Sequence, residues 1–456
     1  KDELVQVKVD IYRRAFDLSQ IDSAATLYTA LKEILAFVEK HIGTKKKSKE
    51  VEYAAINGLL NVLDPHSVLL SPEVYKNLKM GTRGSFGGLG IVISIRDGVL
   101  TVVSPIDDTP AFKAGIKPGD SIVKIGSEAT INMTLNEAVN ELRGDPGTEV
   151  VLWIKRKGWT APKKFTITRA IIRIKSVASE MLEDGIGFLR IKQFSRNTHV
   201  EVREHLEKLK KKGARALILG LYNNPGGLLG QAIRVADLFL DEGDVVTTVG
   251  YAGKKKETMK ASKSTKVWRR PVAVLVNSGS ASASEILAGA LKGRGNAVVL
   301  GERTFGKGSV QVLFDNDDGS ALKLTIRQYL TPGETSIQSV GIVPDVRCVP
   351  VSVKREDLKL FAPLKSRREQ DLERHLNRRW GKGKPTTPAA EVKYLAQERE
   401  EKRTSGGAIS GNAADYEVIH IASRLLTKNP RASRKEILRN VKSRIAEVRQ
   451  RQQDRI

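Results

Sequence analysis

The sequence predicts a multidomain α/β protein: alternating strands and helices around a largely parallel sheet, preceded by a helical region and interrupted by a mostly-β module. Three observations carry this. Leu18, Ile21, Ala24, Leu27, Leu31, Ile34, Leu35 and Val38 recur mainly at three- and four-residue steps, the period of one buried helical face. Between Gly84 and Arg169 short alternating strands and Gly-rich turns replace that period. From Ser176 to Val349 apolar strands alternate with helical segments, as in βαβ units. At 456 residues, the chain has room for two to four domains.

The helical region is assigned to residues 1–83. A basic loop, Lys45-Lys46-Lys47, interrupts it before a second helix through Ala54, Leu59 and Leu60. Asp64-Pro65-His66-Ser67 stops that helix, because proline disfavours helical geometry at the residue before it. The β-module is assigned to 84–170. Its strands are expected around Ile91, Val99, Ser121, Val150 and Lys164, with one short helix whose apolar face is Leu135, Ala138, Val139 and Leu142. The α/β core is assigned to 171–350, with the fully apolar runs around Leu217 and Val274 as buried strands. Residues 351–456 read as a basic C-terminal extension. It holds a linker at Gly381-Lys382-Gly383-Lys384-Pro385 and a weak helical pair near Tyr416 to Leu426 and Lys435 to Val448. Its Arg-rich composition suggests a separate appendage, dispensable for chemistry, so a chain ending near Pro350 is expected to fold.

Composition excludes several classes. The single cysteine, Cys348, leaves no internal disulfide framework and no cysteine-based metal cluster. No run of 18 apolar residues is present. The chain opens on Lys1, so nothing is read of a targeting segment. The net charge of +25 first suggests nucleic acid or an anionic surface. From Val351 onward Lys and Arg outnumber Asp and Glu by 26 to 14, and the remaining excess is scattered. Scattered lysines mark a solvated surface, and nucleic acid is not expected as the main partner.

Three segments carry the chemistry. Asn277-Ser278-Gly279-Ser280-Ala281-Ser282-Ala283-Ser284-Glu285 follows a buried strand and opens a helix. Free N–H groups at a helix start suit a developing oxyanion, but serine is also a preferred N-cap, so this run alone leaves both readings open. Gly301-Glu302-Arg303-Thr304-Phe305-Gly306-Lys307-Gly308-Ser309-Val310-Gln311 sets a lysine between glycines, without the spacing of a phosphate-binding loop. None of the six histidines lies in a comparable turn, so a serine nucleophile here would need lysine as its base. That demands burial, since lowering a lysine by three pKa units costs about 4 kcal/mol. The apolar strand ending in Asn223-Asn224-Pro225-Gly226-Gly227 leaves backbone amides able to approach a ligand, or forms a plain βα turn.

Together these segments resemble the carboxyl-terminal processing, or tail-specific, serine proteases. The resemblance runs from about Asp64 to Asp345 and extends to Asp64-Pro65-His66-Ser67, Leu330-Thr331-Pro332 and Gly341-Ile342-Val343-Pro344-Asp345. It implies a crotonase- or Clp-protease-like core of βαβ layers with an inserted PDZ domain. It implies Ser282 as nucleophile, Lys307 as base and Gln311 as the residue that orients the lysine. The oxyanion hole would be the N–H groups of Ala283 and Gly227. The stretch Phe86-Gly87-Gly88-Leu89-Gly90 resembles the PDZ loop that holds a peptide's C-terminal carboxylate. Ile91 would open the strand that pairs with the tail, and Leu135 and Val139 would wall the groove. The chain departs from the family at Gly220 and Tyr222, where Asp and Arg are usual.

The resemblance implies a serine endopeptidase for protein or peptide substrates with free, apolar C-termini, with no cofactor and no metal. It also implies an extracytoplasmic location, in the bacterial periplasm or cell envelope, and homo-oligomer contacts through the N- and C-terminal helices are expected. Two other readings stay open. One is a catalytically impaired protein that gathers C-termini, the other a basic-tail binder of nucleic acid or anionic surfaces.

Overall fold

The computed structural model describes residues 4–42, 45–250, 253, 256–353, 360–361, 366–381, 386–395, 413–427 and 432–443. The apolar runs build its centre. Ala216–Gly220 and Val272–Val276 are buried at every position, as strands covered on both faces must be. They sit inside an eight-stranded sheet whose order is Val177–Met181, Ile186–Ile191, Ala216–Gly220, Val272–Val276, Ala297–Gly301, Val346–Val353 and Leu360–Phe361, with Ala390–Leu395 also on Val346–Val353. Pairing is parallel from Ile186–Ile191 through Val346–Val353, while Val177–Met181 is an antiparallel edge.

Alternate residues of each strand feed two cores. Leu217, Leu219 and Val274 pack with Leu206, Val235 and Leu287 from the helices Thr198–Lys211, Leu229–Asp237 and Ala283–Gly293. On the other face, Ile218, Leu275 and Leu300 pack with Val392, Tyr394, Ile421, Leu425 and Ile437. Those partners come from Ala390–Leu395, which joins the sheet in parallel, and from the helices Ala413–Thr427 and Arg434–Arg439.

The expected C-terminal appendage is therefore a layer of the core. Average composition concealed the pattern: Val392 and Tyr394 alternate with polar residues, and Ile421 and Leu425 are one helical turn apart. Of the expected linker, residues 382–385 lie outside the described residues, as does the end of the last expected helix beyond Ser443.

A second sheet, which the sequence reading did not find, is antiparallel. Its order is Lys256–Ala261, Gly243–Gly250, Ala321–Thr331 and Ser309–Asp315, and Val68–Leu70 pairs with Ala321–Lys323. Two further corrections fall in the N-terminal region. Leu4–Val9 and Tyr12–Asp17 form a hairpin rather than helix, consistent with the period-two run Val5, Val7, Val9. Lys45-Lys46-Lys47 begins the helix Lys45–Leu60 rather than a loop, since lysine is a good helix former.

The β-module is a sheet in the order Lys163–Thr168, Glu149–Lys155, Ser121–Ile125, Val99–Pro105 and Ile91–Arg96. Ala138 and Leu142 of the helix Leu135–Leu142 close its core over Leu100, Val102, Ile122 and Leu152. Ile91–Arg96 is its edge strand. The chain enters and leaves through Ser85–Gly88 and Ala170–Arg173, which pair antiparallel. Among the described residues no helix is long and apolar enough to cross a membrane.

Candidate active site

The strand Val272–Val276 ends in the serine run, and three serines there have different fates. Ser280 is buried, its hydroxyl 2.8 Å from the Leu221 carbonyl and accepting the Asn277 N–H at 3.0 Å. Ser284 is buried and donates to the Asn224 carbonyl at 2.9 Å. Ser282 is half-buried, and its hydroxyl donates no hydrogen bond among the described contacts. Its backbone has φ 54° and ψ −114°. A non-glycine residue in that region is strained and persists only where its surroundings hold it.

Glu285 supplies the hold. It is fully buried at the third position of the helix Ala283–Gly293. One oxygen, Oε2, accepts the Ser282 N–H at 2.8 Å and the Lys307 N–H at 2.9 Å. The other accepts the Thr304 hydroxyl at 2.5 Å and the Gly306 N–H at 2.7 Å. A single carboxylate thus ties the backbone of the serine turn to that of the lysine loop. Burial pushes the Glu285 carboxyl up to about 7, against these four hydrogen bonds. Glu285 carries a sequence signal that the motif's serines overshadow, since a glutamate three residues after an N-cap serine is a capping signal.

Lys307 lies in the crossing from the parallel sheet, at Ala297–Gly301, to the antiparallel one, at Ser309–Asp315. It is half-buried, and desolvation, with repulsion from Lys323, holds its ammonium below the usual lysine range. Glu369, Asp64 and Glu285 act in the opposite direction.

Gln311 donates from Nε2 to the hydroxyls of Ser309, at 2.9 Å, and Thr325, at 3.1 Å. Thr325 in turn donates to Asp64 at 3.0 Å. No hydrogen bond among the described contacts joins the side chains of Ser282, Lys307 and Gln311 to one another. Catalytic contacts often tighten only around a substrate.

The Pro-Gly-Gly turn is clamped to the serine run by Asn224. Its carbonyl accepts the Ala281 N–H at 3.0 Å, its side chain donates to the Ile191 carbonyl at 2.8 Å, and Oδ1 accepts the Gly226 N–H at 2.9 Å. A Cβ on Gly226 would stand 3.0 Å from the Ala283 nitrogen and 2.9 Å from Ser282 Cβ, so the turn lies directly against the serine. Gly227 has φ 138°, and a Cβ there would fall 2.2 Å from the Phe194 carbonyl oxygen. Only glycine fits. The N–H groups of Ala283 and Gly227 donate to nothing among the described residues.

The departures at Gly220 and Tyr222 answer one another. A Cβ on Gly220 would lie 3.0 Å from the Tyr222 ring, which fills that space, and the Arg190 guanidinium lies 4.3 Å from the ring centroid. A buried aromatic with a stacked cation thus occupies the place of these two departures.

In the β-module, Phe86 to Gly88 lie on the entry strand. The N–H groups of Leu89 and Gly90 donate to no backbone carbonyl outside the strands. Gly90 has φ 77°, and a Cβ there would stand 2.4 Å from Thr109, so this bend too needs glycine. Leu89 offers backbone alone to a groove, because its side chain is 2% exposed in the module's core. Leu135 is exposed and Val139 half-buried, one turn apart on the helix. Ile91 begins the edge strand, whose ladder is paired on one side only. Among the described residues no group of His, Cys, Asp and Glu is placed to hold a metal ion.

Comparison with known proteins gives the same two parts. The model of peptidase family S41 matches residues 185–348, and a PDZ domain model matches 101–156. The chain is 43% identical over 296 residues to the carboxy-terminal-processing protease of Bartonella bacilliformis, covering 64% of this chain and 68% of that protein. It is 42% identical over 294 residues to the carboxy-terminal processing protease CtpA of Bacillus subtilis, covering 64% and 63%. The carboxyl-terminal-processing protease of a Synechocystis species is 40% identical over 315 residues, covering 67% and 73%. Among solved structures, a photosystem II D1 C-terminal processing protease is 31% identical with a TM-score of 0.41, covering 70% of this chain and 86% of that one.

Proposed function

Because the chain belongs to the carboxy-terminal-processing protease family, whose members are serine-type peptidases, we propose that it is an endopeptidase in which Lys307 activates Ser282. Lys307 Nζ, in its neutral form, takes the Ser282 hydroxyl proton as Oγ attacks a peptide carbonyl carbon. The oxyanion that forms accepts from the Ala283 and Gly227 N–H groups, each worth about 3 kcal/mol in comparable hydrolases. The Lys307 ammonium returns the proton to the departing amine as the C–N bond breaks, leaving a seryl ester. Water then attacks that ester, giving its proton to Lys307, and the hydroxyl is regenerated on release of the acid. Gln311, with its donors engaged by Ser309 and Thr325, keeps Oε1 to accept from the lysine.

The single observation that carries this reading is the shared Glu285 oxygen. It holds the Ser282 and Lys307 backbones together. Preorganised placement of this kind supplies much of an enzyme's rate. The test is cleavage of an unstructured protein by wild type, Ser282→Ala and Lys307→Ala. Activity is expected in the first alone, and cleavage by folded Ser282→Ala would refute the assignment.

The PDZ module supports peptide substrates delivered by their C-termini. The tail carboxylate would accept from the Leu89 and Gly90 amides, and the tail would add a strand beside Ile91–Arg96. An apolar last residue would rest on Leu135 and Val139. Work on such tails fits a place outside the cytoplasmic membrane. Self-association through the C-terminal helix Ala413–Thr427 is disfavoured, because Ile421 and Leu425 are spent inside the core. The N-terminal helices remain available for it, since Ala24–Ile42 buries none of its residues.

A further inference from the structure

Glu369 lies beyond the stretch matched by the peptidase model, 185–348, yet it is fully buried against the lysine loop. Its N–H donates to the Phe305 carbonyl at 3.1 Å, two residues before Lys307. Its Oε1 accepts from Gln338 Nε2 at 3.0 Å, and Gln338 Oε1 accepts the Gly308 N–H at 2.9 Å, one residue after Lys307. The acid therefore grips the loop on both sides of the lysine. His66 Nε2 stands 2.8 Å from Oε2 and 2.9 Å from Oε1, and the His66 N–H donates to Asp64 at 2.8 Å. Asp64 in turn accepts from Thr325, the hydroxyl that holds Gln311. A buried carboxylate with so many directed contacts is expensive to lose, and nothing in the proposed chemistry yet uses it.

We propose that Glu369 is a positioning residue for the proposed reaction, fixing the Lys307 loop through Phe305 and Gln338 and setting a negative charge in the base's surroundings. The inference rests on the Ser282–Lys307 reading. The charges acting on Lys307 come from four elements: Lys323 on Ala321–Thr331, Asp64 in the Asp-Pro-His-Ser turn, Glu285 on Ala283–Gly293 and Glu369 on the short turn Glu369–Asp371. Lys323 favours the neutral amine, and the three acids favour the ammonium. Removing the Glu369 charge leaves Lys323 less opposed. Lys307 would then give up its proton more readily.

The experiment measures kcat/KM against pH for a quenched peptide, with fluorophosphonate labelling followed in parallel, in the full chain and its Glu369→Gln variant. The acid limb is expected to move to lower pH by on the order of half a unit or more, while kcat falls as the loop loosens. Glu369→Asp, which keeps the charge with a shorter reach, is expected to restore the limb but lose at least about threefold in kcat at unchanged KM. An unmoved limb in folded Glu369→Gln overturns the inference, as does a wild-type kcat in Glu369→Asp, a variant that still decides the matter if the first does not fold. If Lys307→Ala is labelled at the wild-type rate, the Ser–Lys reading itself fails, and this inference fails with it.

Discussion

Ending the chain at Val353 removes the strand Ala390–Leu395 and the helices Ala413–Thr427 and Arg434–Arg439. The ordering entropy of that segment is recovered, so the net effect is set by the sheet face left behind. Phe188, Ile218, Leu275, Val298 and Leu300 are each at most 2% exposed and pack in the cluster that loses its cover. Fully burying such a side chain is worth about 1.5–3 kcal/mol, so baring these five costs up to roughly 7–15 kcal/mol. A whole domain is stable by about 5–15 kcal/mol. The shortened chain is therefore expected to be insoluble or to lose cooperative unfolding in urea, followed by near-UV circular dichroism. A milder probe is Leu425→Ala in the full chain, expected to cost about 2–5 kcal/mol. A chain ending at Val353 that unfolds cooperatively at the full-length midpoint would refute this reasoning.

Other expectations concern the site. Ser280→Ala strands the Asn277 N–H and should cost about 1–3 kcal/mol, whereas Ser284→Ala leaves the Asn224 carbonyl paired with the Ala281 N–H and should cost about 0.5–1.5 kcal/mol, both sparing the nucleophile; Ser282→Gly should abolish cleavage yet raise the melting temperature by relieving its positive φ, and thermal melts beside a peptide assay read both. Lys307 has a depressed affinity for its proton in the folded state, so the unfolded chain binds that proton more readily, and stability falls as pH drops below the ordinary lysine range. Lys307→Met should then melt higher at neutral pH, with the gain vanishing above about pH 10.5; a gain that persists there would contradict the linkage. In the groove, Val139→Asp should slow cleavage of a free apolar tail about tenfold through KM and leave an amidated tail unaffected. Equal rates for free and amidated tails in wild type would remove the module from substrate choice.

Much of this was legible because the relevant signals are local. Five-residue apolar runs announce doubly covered strands, and the serine run and the lysine loop stood out as motifs whose resemblance to a family implied the roles proposed for Ser282 and Lys307. What escaped was non-local. Glu285, beyond its local bond to Ser282, reaches Thr304, Gly306 and Lys307 at separations of 19, 21 and 22 residues, and Glu369 reaches Gln338 at 31. The antiparallel sheet was missed although Leu322, Leu324 and Ile326 alternate with Lys323, Thr325 and Arg327 in the period of a half-buried strand, because its partner strands are far apart along the chain. Leu89 was assigned to the groove by its place in the loop, but a side chain's direction within a Gly-rich bend is set by the core beneath it. The C-terminal layer was hidden by averaging charge over a segment in which Val392, Tyr394, Ile421, Leu425 and Ile437 pack into one core.

The central claim is that Ser282 is a nucleophile activated by Lys307, and locating a fluorophosphonate adduct by mass spectrometry across a pH series tests it most directly. A single adduct on Ser282 is expected, forming faster as pH rises through a midpoint below that of an ordinary lysine and absent in Lys307→Ala. An adduct on Ser280 or Ser284, or a Ser282 labelling rate that is flat with pH and indifferent to Lys307→Ala, would contradict it.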